Sequence, residues 1–221
     1  MMKNHFLPLA LAGLFLMASA CQENSSQTTP PSTPTEQAAS APSPAPSSTP
    51  SSNATPGPKS AVFRGLTVQP FNYGGHIYMG IRQRVPFADI QPVYGTNMNV
   101  VFNVCYANEL QMDDIPTALF YEYDEVAGEA DMAAVIGVKA GKEVGQGVKM
   151  ISLPAGVPAL KIDYYGNYRG IADAHYAMND YLKANGLVQN RELPAIEEYV
   201  TSPAQEPDPE KRLTRLIYFH H

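Results

Sequence analysis

From residue 59 onward, short runs of apolar or alternating apolar and polar positions are separated by clusters of turn-forming residues. Runs at 65–71, 76–82, 117–123, 132–138, 148–153, 158–164, 195–200 and 212–219 have the length and patterning of strands. Two stretches carry a helical period instead. One falls within 87–110, where Pro92 is admissible only in an opening turn. In the other, Asn167 is placed to cap. Tyr168, Ile171, His175, Met178 and Leu182 then recur at spacings of three and four, and Asn185-Gly186 closes the helix. One stripe of that helix is apolar, so it packs on a sheet.

The order is strands, helix, two strands, given twice. Local sequence repeats with it: "IPTALFYEY" from Ile115 follows the first helix as "LPAIEEYV" from Leu193 follows the second. Superposing Pro116 on Pro194 brings Tyr121 onto Tyr199 and Leu119 onto Glu197. Two strand–helix–strand–strand modules predict an α+β domain, an antiparallel sheet with two helices on one face.

Composition divides the chain further. Residues 1–21 join a charged start (Lys3, His5), an apolar run at 6–17 and the small residues Ala18-Ser19-Ala20 before Cys21, which is a secretory leader. The run is shorter than the 17–25 residues a spanning helix needs. Two cuts fit: an ordinary A-x-A site, or a bacterial lipobox in which Cys21 becomes the acylated (palmitate-bearing) first residue. The position of Cys21 and the segment after it favour the second, although Ala18 stands where a lipobox usually has Leu. Gln22, with no Asp after the cysteine, points to the outer membrane. Residues 22–58 hold nine of the chain's 20 prolines, no aromatic residue and only Ala among the hydrophobics. They form a disordered tether with no means of building a core. Residues 59–221 are then one folded domain of 163 residues, with 14 basic and 19 acidic side chains. That mildly acidic balance, without a basic stripe, excludes nucleic acid as the expected partner.

Candidate chemistry centres on "ELPAIEEYVTSP" at 192–203. Neighbouring strand residues face opposite ways, so Glu197 and Glu198 cannot share a side. Ala195, Glu197 and Tyr199 share one face; Ile196, Glu198 and Val200 share the other. The aliphatic neighbours of Glu198 place its face toward the helices, where it is awkward unless it lies near an edge or pairs with a base such as Arg215 or Lys161. A carboxylate among tyrosines either meets a cation, helped by ring faces worth about 0.5–2 kcal/mol each, or holds a proton; with a raised pKa its ionised form suits a general base acting on a bound water. Simpler roles compete: a surface or paired glutamate, core tyrosines at 121 and 199, Tyr168 packed at the helix start, and a satisfied, semi-buried His175. Cys105 lies in an apolar stretch and is read as a small buried hydrophobe. No metal-ligand spacing, cofactor motif or Ser-His-Asp pattern is present, and "GKEVGQG" at 141–147 is a turn with no helix after it to make a phosphate loop.

The run "YYGNY" at 164–168 resembles the H-x-G-P-Y turn that opens the second helix of GyrI-like domains, also called AraC-type effector-binding domains. "IEEY" at 196–199 resembles their E-x-Y strand, and "TSPAQEPDPEKRLTRLIYF" at 201–219 their closing strand. Tyr164 replaces the motif His, Asn167 its Pro, and Ser202-Pro203 its Asp-Pro. The resemblance implies a domain that binds small lipophilic or cationic molecules, with its pocket glutamate at Glu197. The further candidate ligand contacts are Tyr199 on the same strand face, Tyr121 at the equivalent place in the other repeat, Tyr168 at the helix start and, second to Glu197, Glu198. Some members are drug sensors fused to DNA-binding heads, a part not found here, and some stand-alone members resemble hydrolases, in which case Glu197 is the general base. Three functions follow as expectations: ligand capture by a membrane-tethered domain, hydrolysis on the same fold, or partner binding with a closed cleft.

Overall fold

The alternation along the chain is realised as nine strands and two helices in the computed structural model, which describes residues 57–221. The leader, the acylation position Cys21 and all but the last two residues of the tether lie outside the described residues. A short strand that the periodicity does not reveal comes first: β1 (Ala61–Phe63). Its turn to β2 (Leu66–Asn72) is Arg64-Gly65, both with positive φ (50° and 77°), a two-residue hairpin whose twist suits the flanking strands. Then come β3 (His76–Pro86), α1 (Ile90–Ala107), β4 (Met112–Asp124), β5 (Glu129–Val138), β6 (Lys149–Leu153), β7 (Pro158–Tyr165), α2 (Ile171–Ala184), β8 (Ala195–Tyr199) and β9 (Leu213–Phe219). A single 3-10 turn precedes each helix. Pro92 falls in the first turn of α1, where its missing N–H has no intrahelical partner to lose. Asn167 caps the 3-10 turn ahead of α2, its side chain accepting from the amides of Arg169 and Gly170 at 3.0 and 3.2 Å.

The strands make one sheet in the order β1-β2-β7-β9-β8-β4-β5-β3-β6, every pair antiparallel. The duplication is visible in that order. β3–α1–β4–β5 forms one half, β7–α2–β8–β9 the other, and the halves meet where β4 pairs with β8. From this seam outward the neighbours are β9 and β5, then β7 and β3, so the two modules mirror one another in sequence of strands.

Both helices lie on one side. On β5 the even positions Ala130 and Met132 pack with the α2 cluster (Ala174, Ala177, Met178, Tyr181, Leu182), and Ala134, Ile136 and Val138 pack with Met98, Val101, Val104 and Cys105 of α1. The odd positions Ala133 and Val135 turn to the other side, into a cluster with Tyr73, Tyr78, Leu119, Ile196, Ile217 and Phe219. Apolar side chains therefore bury both faces of the central strands, which explains why β5 is a near-continuous apolar run. Cys105 is fully buried, as its surroundings predict.

β8 reverses one expectation. Ala195 and Tyr199 pack on the helix side with α2, whereas Ile196 belongs to the opposite cluster. Glu197 therefore faces the helices and Glu198 faces away from them. The aliphatic flanks of Glu198 pack into the second core instead. Its charge is met by Arg215, whose Nη1 donates to Oε2 at 3.2 Å, while Lys161 donates to Asp163.

Glycine is needed at Gly80, on β3 opposite Val135, where an added Cβ would fall on Val135 Cγ1 and the Ala134 carbonyl. Gly95, on the exposed side of α1, meets nothing within 4 Å. Gly80→Ala is expected to destabilise by roughly 1–3 kcal/mol through overpacking, and Gly95→Ala to stabilise by about 0.5–1 kcal/mol through helix propensity. Urea unfolding of the two variants checks both signs.

Candidate functional site

The groove between the two helices ends on the seam, and this places Glu197. On β8 it pairs with Ala118 of β4 and Leu216 of β9, small or aliphatic neighbours that leave its side chain room to rise from the sheet. The residue is 4 % exposed. A carboxylate so buried needs partners, and it has one on each oxygen. His175 Nε2 lies 2.7 Å from Oε1, and the Tyr199 hydroxyl donates to Oε2 at 2.9 Å. The other ring nitrogen of His175, Nδ1, lies 2.9 Å from the Tyr218 hydroxyl. Because a carboxylate only accepts, Nε2 must carry hydrogen, and in the neutral ring Nδ1 accepts from Tyr218. The chain of contacts is Tyr218, His175, Glu197, Tyr199.

Around it lies a cleft of ≈ 950 Å³ with an aromatic wall. The ring of Tyr199 is met edge-on by Tyr94 of α1 and by Tyr168 of the turn before α2, each with centroids 5.2 Å away. Tyr123, stacked on Phe120 at 5.0 Å, meets the His175 ring edge-on at 6.0 Å. Tyr168 also donates to the Thr201 carbonyl at 3.4 Å, so it holds the helix start and lines the cleft together. Burial, and then the charge of Glu197, push the phenols of Tyr199, Tyr218 and Tyr94 well above their ordinary range. These hydroxyls remain neutral donors at any physiological pH.

The local repeat misplaces one tyrosine. Setting Pro116 on Pro194 matches Leu119 with Glu197, yet Leu119 belongs to the core on the far side of the sheet. Tyr121 faces that side as well, with the Arg82 guanidinium 3.5 Å above its ring centroid. β4 carries a bulge between Phe120 and Glu122. Past this bulge Tyr123, on the helix side, stands near His175. Tyr121 still borders the cleft at its Arg82 end, because β8 stops at Ala195 opposite Phe120 and leaves the last residues of β4 without a partner on that edge. Glu198 is corrected outright: it is on the face away from the cleft. His175, Tyr218 and Tyr123 are the contributors that patterning alone did not single out. The available signals were the place of His175 on the apolar stripe of α2, and the alternation Thr214, Leu216, Tyr218 on β9.

Among the described residues no group of three or more His, Cys, Asp or Glu side chains could hold a metal ion, and no helix is long and apolar enough to cross a membrane.

A family model described as a GyrI-like small-molecule-binding domain matches residues 76–220. No curated protein matches the sequence. Among solved structures, the EcmrR–DNA complex is similar at 14 % identity and a TM-score of 0.63, over 71 % of this chain and 57 % of that one. The isolated EcmrR C-terminal domain is similar at 15 % and 0.59, over 71 % and 98 %. An uncharacterized conserved protein from Listeria innocua is similar at 12 % and 0.53, over 70 % and 92 %. At such identities the likeness is one of fold, and the chain spans little more than half of the first structure. That structure being a DNA complex does not fit the expectation of a domain without nucleic acid, which rests on the acidic balance, the missing basic stripe and the lack of a DNA-binding pattern in the sequence.

At the Arg82 end of the cleft, hydrogen bonds from that guanidinium (2.9 and 2.8 Å) hold the Asp131 carboxyl below its ordinary value. A carboxyl depressed in the native state adds stability above its unfolded value, about 4, and loses it as pH falls through the native value. Compared with Asp131→Asn, the parent should be more stable near pH 7 by up to about 1 kcal/mol, since the pair is partly solvated. The difference should shrink as pH falls below about 4, as followed by thermal unfolding across pH.

Proposed function

The chain belongs to the GyrI-like small-molecule-binding family, and from that premise we propose that its cleft captures a small lipophilic or cationic molecule above Glu197. One observation carries the reading: a buried carboxylate whose two oxygens are both held by the protein's own donors, under an aromatic wall. Such a group has a charge to offer and is already partly engaged as an acceptor on each oxygen. It suits a cation whose charge is shielded by carbon, met by the carboxylate's field and by tyrosine faces. Glu197 supplies the charge, Tyr199 and His175 hold it in place, and Tyr168, Tyr123 and Tyr218 supply ring surface.

The same geometry weighs against hydrolysis with Glu197 as general base, because hydrogen bonds from His175 and Tyr199 to the charged carboxylate make it a weaker base. An open cleft of ≈ 950 Å³ weighs against a closed partner-binding surface. In the fuller reading the leader is removed, Cys21 is acylated, and residues 22–58 hold the domain within ~110 Å of a bacterial outer membrane.

Native mass spectrometry and thermal shift of the purified full-length protein, against lipophilic cations and neutral analogues of equal shape, test the capture. Cations should bind and raise Tm, and neutral analogues should do neither. Glu197→Gln should weaken cation binding at least tenfold, about 1.4 kcal/mol, and Tyr199→Phe by a smaller factor. Equal retention of cation and neutral analogue, or indifference to Glu197→Gln, would sink the reading.

A further inference from the structure

This inference rests on the reading of the cleft as a cation site. We propose that His175 is its specificity-determining residue: the protonation of this imidazole decides whether Glu197 presents a net charge to the ligand, so that cation capture is coupled to release of a proton.

The geometry allows both states without rearrangement. The His175 and Glu197 side chains are 14 % and 5 % exposed and 2.7 Å apart, so whatever charge His175 carries acts directly on Glu197. When the ring is neutral, Nε2–H donates to Glu197 and Nδ1 accepts from Tyr218, and the pair carries one negative charge. When the ring is protonated, Nδ1–H donates to the Tyr218 oxygen, since a phenol serves as donor or acceptor. Neither state strands a buried polar atom of the ring, and the pair then carries no net charge. The difference of a full charge falls beneath an aromatic wall, where electrostatic effects are strong.

The groups facing this pair leave the titration to it. Tyr199 comes from β8, Tyr218 from β9, Tyr123 from β4, Tyr94 from α1 and Tyr168 from the turn before α2. All five phenols are shifted upward, chiefly by burial, and stay neutral between pH 5 and 8, the range in which an imidazole changes charge. Arg191 ahead of β8 acts on Tyr218, and Arg169, Glu125 and Glu192 border the cleft. Asp131 and Glu122 line the Arg82 end and are paired with Arg82 and Arg84. His175 is the imidazole among the residues that line the cleft.

By linkage, a cation that prefers the neutral ring also drives off its proton. Calorimetric titration of the full-length protein with an alkyltriphenylphosphonium salt from pH 8 to pH 5 should show affinity falling as pH drops, approaching tenfold per pH unit at the acid end. Binding heats there should vary with buffer ionisation enthalpy, which reports the released proton. The His175 ring signals in NMR should titrate at lower pH with phosphonium present. His175→Gln, which keeps an amide donor for Glu197, should give a flat profile whatever its affinity. A parent that binds the phosphonium with a flat profile and no proton release overturns the role of His175 and leaves capture standing. A variant that retains the parent slope does the same. A parent that binds at no pH overturns the capture reading itself.

Discussion

Four residues of β8 paired with four of β4 turn two strand–helix–strand–strand modules into one continuous sheet. Among the described residues the two modules share backbone hydrogen bonds at this seam alone, and it lies under the groove between the helices. A side chain that rises from it on the helix side is walled by both modules. Glu197 is that side chain. α2 brings His175 to it, β9 brings Tyr218, α1 brings Tyr94, and the bulged end of β4 brings Tyr123. Disturbing the seam register by one residue would exchange Glu197 for Ile196 or Glu198 and turn the carboxylate out of the cleft.

The two adjacent glutamates show how a sheet separates like groups. Glu198 faces the far core, where burial raises its carboxyl and the Arg215 guanidinium pulls it partly back. That ion pair extends through Asp163 to Lys161 and ties β7, β8 and β9 together on the side away from the helices. Glu197 has no arginine or lysine within salt-bridge distance among the described residues, only the imidazole and a phenol. One glutamate is paired with arginine on the far face, and the other is held by an imidazole and a phenol at the cleft.

Some of this was legible before any coordinates. Eight strands, both helices and the doubled module follow from period-two and period-3.6 patterning, because a segment that must bury one side repeats its apolar positions at the period of its backbone. Asn167, Pro92 and the Asn185-Gly186 ending are local signals that need no distant partner. The three-residue β1 left no trace of this kind. It is held by its turn to β2 and by contact with α2, where Tyr181 donates to the Lys59 carbonyl at 2.6 Å across 122 positions of sequence.

Alternation also fixed that Glu197 and Glu198 face opposite ways and that Glu197 keeps company with Tyr199, since successive strand side chains must point apart. Which face the helices cover was beyond it. Both faces of the central strands are apolar, so flanking aliphatics such as Ile196 carry no absolute direction; Tyr121 keeps the far-side parity of Leu119, and the bulge before Glu122 brings Tyr123 to the helix side instead. The contacts that define the site, His175 to Glu197 and His175 to Tyr218, span 22 and 43 positions. They exist because packing α2 onto the sheet brings one imidazole over the seam, and the tertiary structure alone decides that.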